Sequence, residues 1–424
     1  MIDASVHYAD IGGLVSVSDE GEVTFGESRL SPYSHAALEY KVLRNEKRTL
    51  LICRERHADV LMQWYGRDVI VAANDSSKFE EEIEAVLSWP NAAMSMEVLF
   101  ADGTPAIRVV TNHNPNTCVY IWSSYSKCHL SWNYNLVARN SDQNSINEHH
   151  LSRWLMMHGY AYDSHTIFSN IYRVMVDSDV FVSRHRMRMT QHDRRSRYAP
   201  RKISRDIPFH DVLERILADV IGRRRLEAGR ISCEVSGGLD SAALLLIASR
   251  LIPSLSAAGI AVSPRLDQPV NQTIRQRKMT ATLDIPLYLH DIAQHLPFSP
   301  NSQRHESFAT SYMAEPFHEA FFFLTEKIIE SGFDTIISGT GGNEAFPLFP
   351  SDDGFSNSYT GLTRSNPVCP FITQKAFLLA QSLHVQRGYS PDSSASGAGL
   401  SGGRRDGFRG RALLFLGLGF QDAF

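Results

Sequence analysis

A glycine-rich turn at Ser236–Ser241 (SGGLDS) constrains the fold of this chain more than any other feature. The apolar segment RISCEV precedes it and an Ala/Leu-rich segment follows it, so the pattern predicts a buried strand, a tight turn and a helix. Such a turn needs glycine and a capping serine for conformational reasons alone. The complete hexapeptide in this context nevertheless favours a phosphate cradle, in which the glycines admit the ligand and helix N-terminal amides donate to it.

A second glycine-rich turn, Ser338–Phe346 (SGTGGNEAF), follows the apolar segment DTIIS further along the chain. Loops that follow neighbouring strands of a parallel sheet meet at the same carboxyl edge, so we expect the two turns to face one crevice. Asp240, at the mouth of the first turn, is placed to hold Mg²⁺ that bridges phosphate oxygens. Two such turns after strands favour a nucleotide site much more strongly than one.

The segments around these turns predict an α/β domain. Apolar residues recur at helical spacing in FHDVLERILADVIG, and strands then alternate with helices through GIAVS, TIRQRKMTATL, PLYLHDI and PFHEAFFFLTEKIIESG. That alternation is typical of a parallel sheet covered by helices. Upstream, short β-branched and aromatic runs separated by turn clusters predict a mostly β region, with a helix at residues 146–158.

Length and composition set the outer limits of the prediction. With 424 residues the chain is long enough for two domains, and 43% hydrophobic residues supply sizeable cores. The net charge of −4 gives no overall attraction to nucleic acid or to an anionic membrane. The five cysteines lie scattered without metal-ligand spacing, and we find neither a signal peptide nor an apolar span, so we expect a cytoplasmic protein.

Two segments stand apart in composition. Ser183–Arg205 is dense in arginine, and we favour a solvated linker over an arm that contacts phosphate or nucleic acid, because aromatic residues do not interleave with the charge. The last residues are rich in Gly, Ser and Arg with little periodicity, which predicts a disordered or aberrant tail. The predicted division is therefore a first domain at 1–190, a basic linker at 191–208, an ATP-binding domain at 209–389 and a tail at 390–424.

The two turns together resemble the synthetase domain of the asparagine synthetase family, whose second motif usually reads SGxGxDE and which includes β-lactam synthetases and lasso-peptide cyclases. Glu315-Pro316 and Asn366–Ile372 (NPVCPFI) are similar to two further stretches of that family. SWNYNLVARN and TIFSNIYRV resemble the end of its N-terminal glutaminase-like domain. The resemblance covers roughly residues 100–385. It implies an α/β domain of the nucleotide pyrophosphatase-loop type, preceded by a mostly β, glutaminase-like α+β domain of the N-terminal nucleophile type.

The resemblance implies a ligase that uses ATP and Mg²⁺. A substrate carboxylate would attack the α-phosphorus of ATP to give an acyl-adenylate and pyrophosphate, and an amine would then displace AMP to form an amide. The carboxylate is a small molecule or a peptide, with a precursor peptide among the candidates, and neither nucleic acid nor a membrane is an expected partner. The predicted metal ligands are Asp240, Asn343 and Glu344. The predicted ATP-binding residues are Ser236, Gly237, Gly238, Leu239, Asp240, Ser241, Ser338 and Gly339.

Several departures from the family pattern leave two hypotheses open. Ile2 stands where glutamine-dependent members carry the nucleophilic cysteine, so we expect no glutaminase activity. Asn343 replaces the family's metal-binding aspartate, Thr340 replaces the glutamate of asparagine synthetases, and no lysine follows Lys375. The sequence therefore identifies no catalytic residue. One hypothesis is a working amide ligase that takes an amine already present in its substrate; the other is a truncated, catalytically degenerate paralogue that binds a nucleotide or a partner.

Overall fold

The structure is a computed structural model that describes residues 1–58, 68–71, 76–101, 103–113, 119–141, 145–157, 164–192, 208–224, 226, 230–261, 271–296, 299, 318–339 and 414–417. Three sheets organise these residues. Two of them are built from strands within residues 2–191, and the third from strands within residues 231–417. No helix in the described part of the chain combines the length and the apolar character that crossing a membrane requires.

The first sheet contains seven strands, and every neighbouring pair is antiparallel. In spatial order these are β12 (Ile171–Val174), β10 (Val119–Ser123), β11 (Lys127–Ser131), β1 (Ile2–His7), β4 (Ser28–Pro32), β3 (Val23–Phe25) and β2 (Ser16–Val17). Side chains of β1 alternate between buried and half-buried along the strand, as expected when one face of a sheet covers a core. Ala4 pairs with Leu130 on one side and Leu30 on the other, which fixes that register.

The second sheet also has seven strands, in the order β14 (Met187–Gln191), β13 (Ser178–Ser183), β9 (Thr104–Thr111), β8 (Ala93–Ala101), β6 (Arg48–Glu55), β5 (Leu38–Arg44) and β7 (Asp68–Val71). The β5–β7 pair is parallel and the other pairs are antiparallel. Adjacent residues of β6 serve two cores: Leu51 and Cys53 pack between the sheets, whereas Leu50 and Ile52 pack on the opposite face. This alternation follows from the two-residue period of a strand.

Helices cover the outer faces of this sandwich. Helix α1 (Ser76–Ser88) packs Phe79 and Ile83 against the second sheet. Helix α2 (Tyr134–Arg139) packs Tyr134 against Tyr120 of the first sheet, and its N-cap Asn133 accepts a hydrogen bond from the Asn135 N–H. Helix α3 (Glu148–Met157) follows. The described layers are thus helix, sheet, sheet and helix, consistent with the mostly β α+β region that the sequence predicted.

The third sheet is parallel throughout, in the order β17 (Leu287–Asp291), β16 (Ser256–Ala261), β15 (Ile231–Glu234), β18 (Thr335–Ser338) and β19 (Leu414–Gly417). Its helices are α4 (Phe209–Gly222), α5 (Leu239–Leu251), α6 (Asn271–Thr282) and α7 (His318–Glu330). Strands and helices alternate as the sequence predicted, so the α/β prediction is confirmed for this part of the chain.

The two faces of the parallel sheet have separate cores. Cys233 and Ile337 pack with Leu217 of α4 and Leu245 of α5 on one face. On the other face, Ala258 and Ile336 pack with Leu324 and Ile328 of α7. Because both faces are covered by helices, the strands carry continuous apolar runs rather than an alternating pattern.

The sandwich and the parallel sheet meet at the end of α4. Arg224 forms an ion pair of 2.9 Å with Glu55 of β6, and both side chains are buried. The Ala58 N–H donates to the Arg223 carbonyl oxygen at 2.8 Å, and His57 forms an isolated antiparallel bridge with Arg224. These contacts hold the start of the third sheet against the edge of the sandwich.

Two predictions about irregular segments differ from the structure. The interpretation of Ser183–Arg205 as a solvated linker is wrong for its first residues, because Met187–Gln191 pairs with β13 as the edge strand β14. Its alternation of methionine with arginine and threonine fits a half-buried edge strand. Residues 193–207 lie outside the described part. Within the predicted tail, Leu414–Gly417 forms β19, a strand supplied by the apolar string near the C-terminus, and the rest of 390–424 lies outside the described residues.

Candidate nucleotide site

The first glycine-rich turn and the first two residues of the second, Ser338 and Gly339, lie at a topological switch point of the parallel sheet. Helices α5 and α6 follow β15 and β16 and pack on one face, whereas α7 leads into β18 from the other face. Strands β15 and β18 are hydrogen-bonded neighbours, with Cys233 paired to Ile337. The loops after them therefore leave the same edge where the chain direction changes sides, which is where ligands bind in open parallel sheets. The two strands therefore end side by side, as the sequence predicted, while residues 340–346 of the second turn lie outside the described residues.

Gly237 is the residue of the first loop that must be glycine. Its φ of +79° lies in the left-handed region, which side chains disfavour. A Cβ atom at this position would lie 2.7 Å from the backbone oxygen of Gln272, near the start of α6. The missing side chain therefore lets α6 begin directly against the loop.

Two serine hydroxyls tie the loop together. The Ser236 N–H donates to Ser241 Oγ at 3.2 Å, and the two hydroxyl oxygens lie 3.0 Å apart. Ser241 Oγ also donates to the Gly238 carbonyl oxygen at 3.3 Å, while the Gly238 N–H donates to Ser236 Oγ at 3.3 Å. Ser241 is buried and Ser236 is exposed. Ser241 thus shapes the loop from within, and Ser236 presents its hydroxyl at the surface.

The end of the second strand closes against the first loop. A Cβ atom on Gly339 would lie 3.1 Å from the Ser241 backbone nitrogen and 3.4 Å from the Asp240 carbonyl carbon. Ser338 is buried and its hydroxyl donates to Glu234 Oε2 at 2.5 Å, below the loop. The structure therefore brings Ser338 and Gly339 beside the Ser236–Ser241 loop, and Ser338 supports the strand ends rather than the open crevice.

Asp240 is the one predicted metal ligand that the structure describes, since Asn343 and Glu344 lie outside the described residues. It is half-buried in the first turn of α5. The described residues contain no group of three His, Cys, Asp or Glu side chains that could hold a metal ion by itself. Mg²⁺ in nucleotide sites is held by one or two carboxylates together with the phosphates of the substrate, so a single carboxylate beside the loop fits that ion.

A groove of about 780 Å³ runs from the loop between α5 and α6. Gly237, Gly238 and Leu239 form its upper end, and the Leu239 side chain is 75% exposed there. Arg275 and Lys278 of α6 line the same groove. Sequence reasoning missed these two cations. Their spacing of three residues puts both on one helical face, but only the groove that they share with Gly237 and Gly238 shows that this face adjoins the loop.

Gln276 anchors α6 under the site. It is fully buried, and its Nε2 donates to the carbonyl oxygens of Val235 at 2.7 Å and Ile260 at 3.3 Å. The Val235 carbonyl directly follows β15, and the Ile260 carbonyl lies near the end of β16. A Cβ atom on Gly259 would lie 2.5 Å from the Val235 oxygen, so the strands approach closely just before the loop begins. The amide thus fixes the point from which the loop leaves the sheet.

The cysteines of the described residues are buried thiols. Burial raises the pKa of Cys53 to about 11 and that of Cys128 to about 12. Burial also raises the pKa of Cys233, which lies under the loop in the apolar core. A thiol with a raised pKa stays protonated near neutral pH and is a poor nucleophile. Glu315-Pro316, Thr340 and Asn366–Ile372, which contributed to the family comparison, lie outside the described residues.

Comparisons with known proteins give no family assignment. No protein-family model matches the chain, and no curated protein matches it in sequence. Among solved structures, the NH3-dependent NAD synthetase from Campylobacter jejuni subsp. jejuni NCTC 11168 in complex with the nitrate ion is 12% identical, with a TM-score of 0.25 over 44% of this chain and 90% of that one. The U34-tRNA thiolase NcsA from Methanococcus maripaludis with its 4Fe-4S cluster is 15% identical, with a TM-score of 0.24 over 42% and 74%.

Proposed function

We propose that this chain binds ATP at the Ser236–Ser241 loop and uses it to activate a carboxylate for amide formation. The observation that carries the proposal is the close approach of Gly339 to the Ser241 backbone nitrogen, which brings the start of the second glycine-rich turn beside the first loop. A single glycine-rich turn of this kind occurs in many different folds. A second one that begins beside the first, at the ends of the neighbouring strands β15 and β18, favours a ligand with several phosphates.

The groups around the loop suit the charge of a triphosphate. The first turn of α5 has backbone N–H groups without helical acceptors, and the helix dipole adds partial positive charge there. Arg275 and Lys278 supply two full charges along the adjoining groove. Together these donors favour the triphosphate when it binds and the pyrophosphate as it leaves, because charge accumulates on the leaving group during the reaction.

The reaction proposed is adenylation. An oxygen of the substrate carboxylate forms a bond to the α-phosphorus, the bond from that phosphorus to the bridging oxygen breaks, and pyrophosphate leaves with the electron pair. An amine then attacks the acyl carbon and releases AMP. This chemistry comes from the resemblance to the asparagine synthetase family, and the loop geometry supports its first step. Mg²⁺ bound at Asp240 would neutralise phosphate charge.

The proposal for the second substrate rests on the cysteines of the sandwich. In the described residues its cysteines are buried with raised pKa values, which gives no support to glutamine hydrolysis as a source of ammonia. We therefore propose that the amine is supplied directly, either free or within the molecule that carries the carboxylate. A peptide that supplies both groups is consistent with this proposal.

Exchange of labelled pyrophosphate into ATP tests the adenylation step. The purified full chain is incubated with ATP, Mg²⁺ and a panel of carboxylates that includes aspartate and peptides with acidic side chains. Asp240→Ala is the test variant and Asp219→Ala is the control, since Asp219 forms an exposed ion pair with Arg223 on α4. We expect carboxylate-dependent exchange in the wild type and the control, and loss of more than about 100-fold in Asp240→Ala, because a metal-bound carboxylate contributes several kcal/mol to such a step.

Direct measurement of ATP binding separates the two hypotheses. Equilibrium titration with a non-hydrolysable ATP analogue and Mg²⁺ reports the loop without any chemistry. Binding together with exchange supports the ligase. Binding without exchange for any carboxylate would overturn the ligase and leave a nucleotide-binding paralogue. Absence of binding in a folded protein would overturn the assignment of the loop.

A further inference from the structure

A second polar pocket lies in the sandwich, where the edge strands of the two sheets face each other. It has a volume of about 550 Å³ and opens between β12 of the first sheet and β14 of the second. Ser183 belongs to β13, Met187 and Met189 to β14, Ser123 to β10 and Tyr172 to β12, so both sheets contribute to its walls. The nucleotide site lies at the edge of a different sheet, so the two sites are separate.

The pocket carries positive charge. Arg184, His185 and Arg186 occupy the turn between β13 and β14, which the Ser183 N–H closes by donating to the Arg186 carbonyl oxygen at 2.8 Å. None of the described residues that line the pocket is Asp or Glu. The two guanidinium groups therefore meet no carboxylate within the described lining, and an anionic ligand would supply the missing charge.

One of the arginines has an unused donor. The Nε atom of Arg184 is buried, and among the described residues it has no hydrogen-bond acceptor. Its guanidinium carbon lies 5.9 Å from the centre of the Tyr125 ring, which also contacts His185 edge-on at 5.3 Å. A buried donor without a partner is costly, and a ligand oxygen is one way to satisfy it.

Hydroxyl and apolar groups complete the pocket. Ser164 and Ser169 face it from the first sheet's side, and serine hydroxyls donate readily to phosphate oxygens. Met187 and Met189 are half-buried against the core of the sandwich and give the pocket an apolar floor. An inorganic oxyanion would bind the arginines and serines but would make no contact with the apolar floor.

We propose that this pocket binds a phosphate monoester, with the phosphate on Arg184 and Arg186 and the organic group on the methionines. Paired arginines match the geometry of phosphate oxygens. The proposal uses the basic segment that the sequence left without a function. It is independent of ATP binding at the Ser236–Ser241 loop.

Calorimetric titration of the full chain with phenyl phosphate and with inorganic phosphate tests the proposal. We expect phenyl phosphate to bind several-fold more tightly, because its ring covers apolar surface. Arg184→Gln and Arg186→Gln should each weaken binding about tenfold, as expected for one charge-assisted contact. Arg188→Gln is the matched control: it has the same charge and lies on β14, but it does not line the pocket, and we expect less than about a twofold change.

The Ser236–Ser241 loop is itself proposed to bind phosphate, so a second control is required. Gly237→Ala distorts that loop and should leave phenyl phosphate binding unchanged, with folding checked by circular dichroism. If an arginine variant fails to fold, Arg184→Lys retains the charge but loses the guanidinium fork and should still weaken binding. Four results would overturn the proposal. Arg188→Gln could weaken phenyl phosphate binding as much as the pocket variants do, or only Gly237→Ala could weaken it. Inorganic phosphate could bind more tightly than phenyl phosphate, or neither could bind.

Discussion

The antiparallel sandwich and the parallel sheet bury charge to different extents. On the face of the second sheet under α1, Arg54 contacts Glu39 at 2.5 Å, Arg48 contacts Glu97, and Arg108 contacts Asp179 at 2.8 Å. On the strands of the parallel sheet, the polar side chains that are buried are uncharged hydroxyls: Ser232, Ser256, Thr335 and Ser338. One region depends on matched charges across its strands, and the other on apolar packing and close backbone approach.

The difference follows from how each sheet is covered. Helices lie over both faces of the parallel sheet, so its strands meet apolar surface on each side. The second sheet of the sandwich has the inter-sheet core on one face and α1 on the other, and α1 itself supplies Glu80 to Arg48 and Arg108. Burial raises the pKa of the Glu97 carboxyl above its ordinary value in spite of its contact with Arg48. Such pairs are costly to break, although they add little stability when intact.

The largest expected effect tests the charged face. Arg54→Met leaves Glu39 buried without its partner and should lower the free energy of unfolding by about 3–5 kcal/mol. The double variant Arg54→Met with Glu39→Leu should recover most of that loss, because it removes both charges. Urea denaturation followed by tryptophan fluorescence measures both, since Arg54 stacks on Trp89 at 3.7 Å. A double variant as unstable as the single one would mean that the pair acts through its shape and not its charge.

The next effect tests close backbone approach at the loop. Gly237→Ala forces a side chain into the left-handed region and against Gln272, and we expect it to cost about 2–4 kcal/mol and to weaken ATP binding at least tenfold. Gly332→Ala is the control, because Gly332 has a φ of +90° but a Cβ atom there would have no atom within 4 Å. Gly332→Ala should lower the free energy of unfolding by about 1–2 kcal/mol and leave ATP binding unchanged. Equal ATP affinity in both variants would contradict the loop assignment.

A smaller effect concerns the buried amide under the site. Gln276→Leu leaves the carbonyls of Val235 and Ile260 without their donor, and we expect a loss of about 1–3 kcal/mol. ATP binding should weaken as well, because the strand end would no longer be fixed. Gln272→Leu is the control, since that residue is exposed on the same helix. Thermal unfolding and nucleotide titration compare the two variants. If Gln276→Leu is as stable as the wild type and binds ATP with full affinity, Gln276 does not anchor the strand end.

The smallest effect is a pH dependence in the sandwich. Burial, together with the charges of Lys127 and His7, lowers the pKa of His129 from 6.5 to about 4. Between these values the unfolded chain binds a proton that the folded chain does not, so stability falls as the pH decreases from 6.5 towards 4. One proton sets an upper limit of about 1.4 kcal/mol per pH unit. Because the His129 ring is only partly buried, solvent screening keeps the loss over the whole range to about 1 kcal/mol. In His129→Gln, the midpoint of urea unfolding should depend less on pH in that range. If the slope is unchanged, the pH dependence comes from other titratable groups.

The sequence predicted the parallel part of the fold better than the site. Apolar runs of β15 and β18 and the helical face of α4 carry local signals, and the structure has those elements where the patterns placed them. Arg275 and Lys278 were missed because nothing in the sequence of α6 shows which neighbour its charged face adjoins. The pairing of β14 was missed because arginine-rich edge strands have the composition of a linker. The predicted roles of Asn343 and Glu344 stay predictions.

Three glycines at the carboxyl edge divide the site into a fixed part and a variable part. Gly237, Gly259 and Gly339 each lie where one added carbon would meet backbone atoms of a neighbouring segment. At Gly237 and Gly259 the added carbon would lie only 2.7 Å and 2.5 Å from a backbone oxygen, so directed evolution of this protein should tolerate no exchange there, whatever ligand is selected. At Gly339 the nearest backbone atom is 3.1 Å away, so exchange there requires Ser241 to shift by a few tenths of an ångström. Leu239 and Leu246 line the groove from α5 with exposed side chains and touch no such constraint, so a library restricted to them would alter ligand preference while preserving the scaffold.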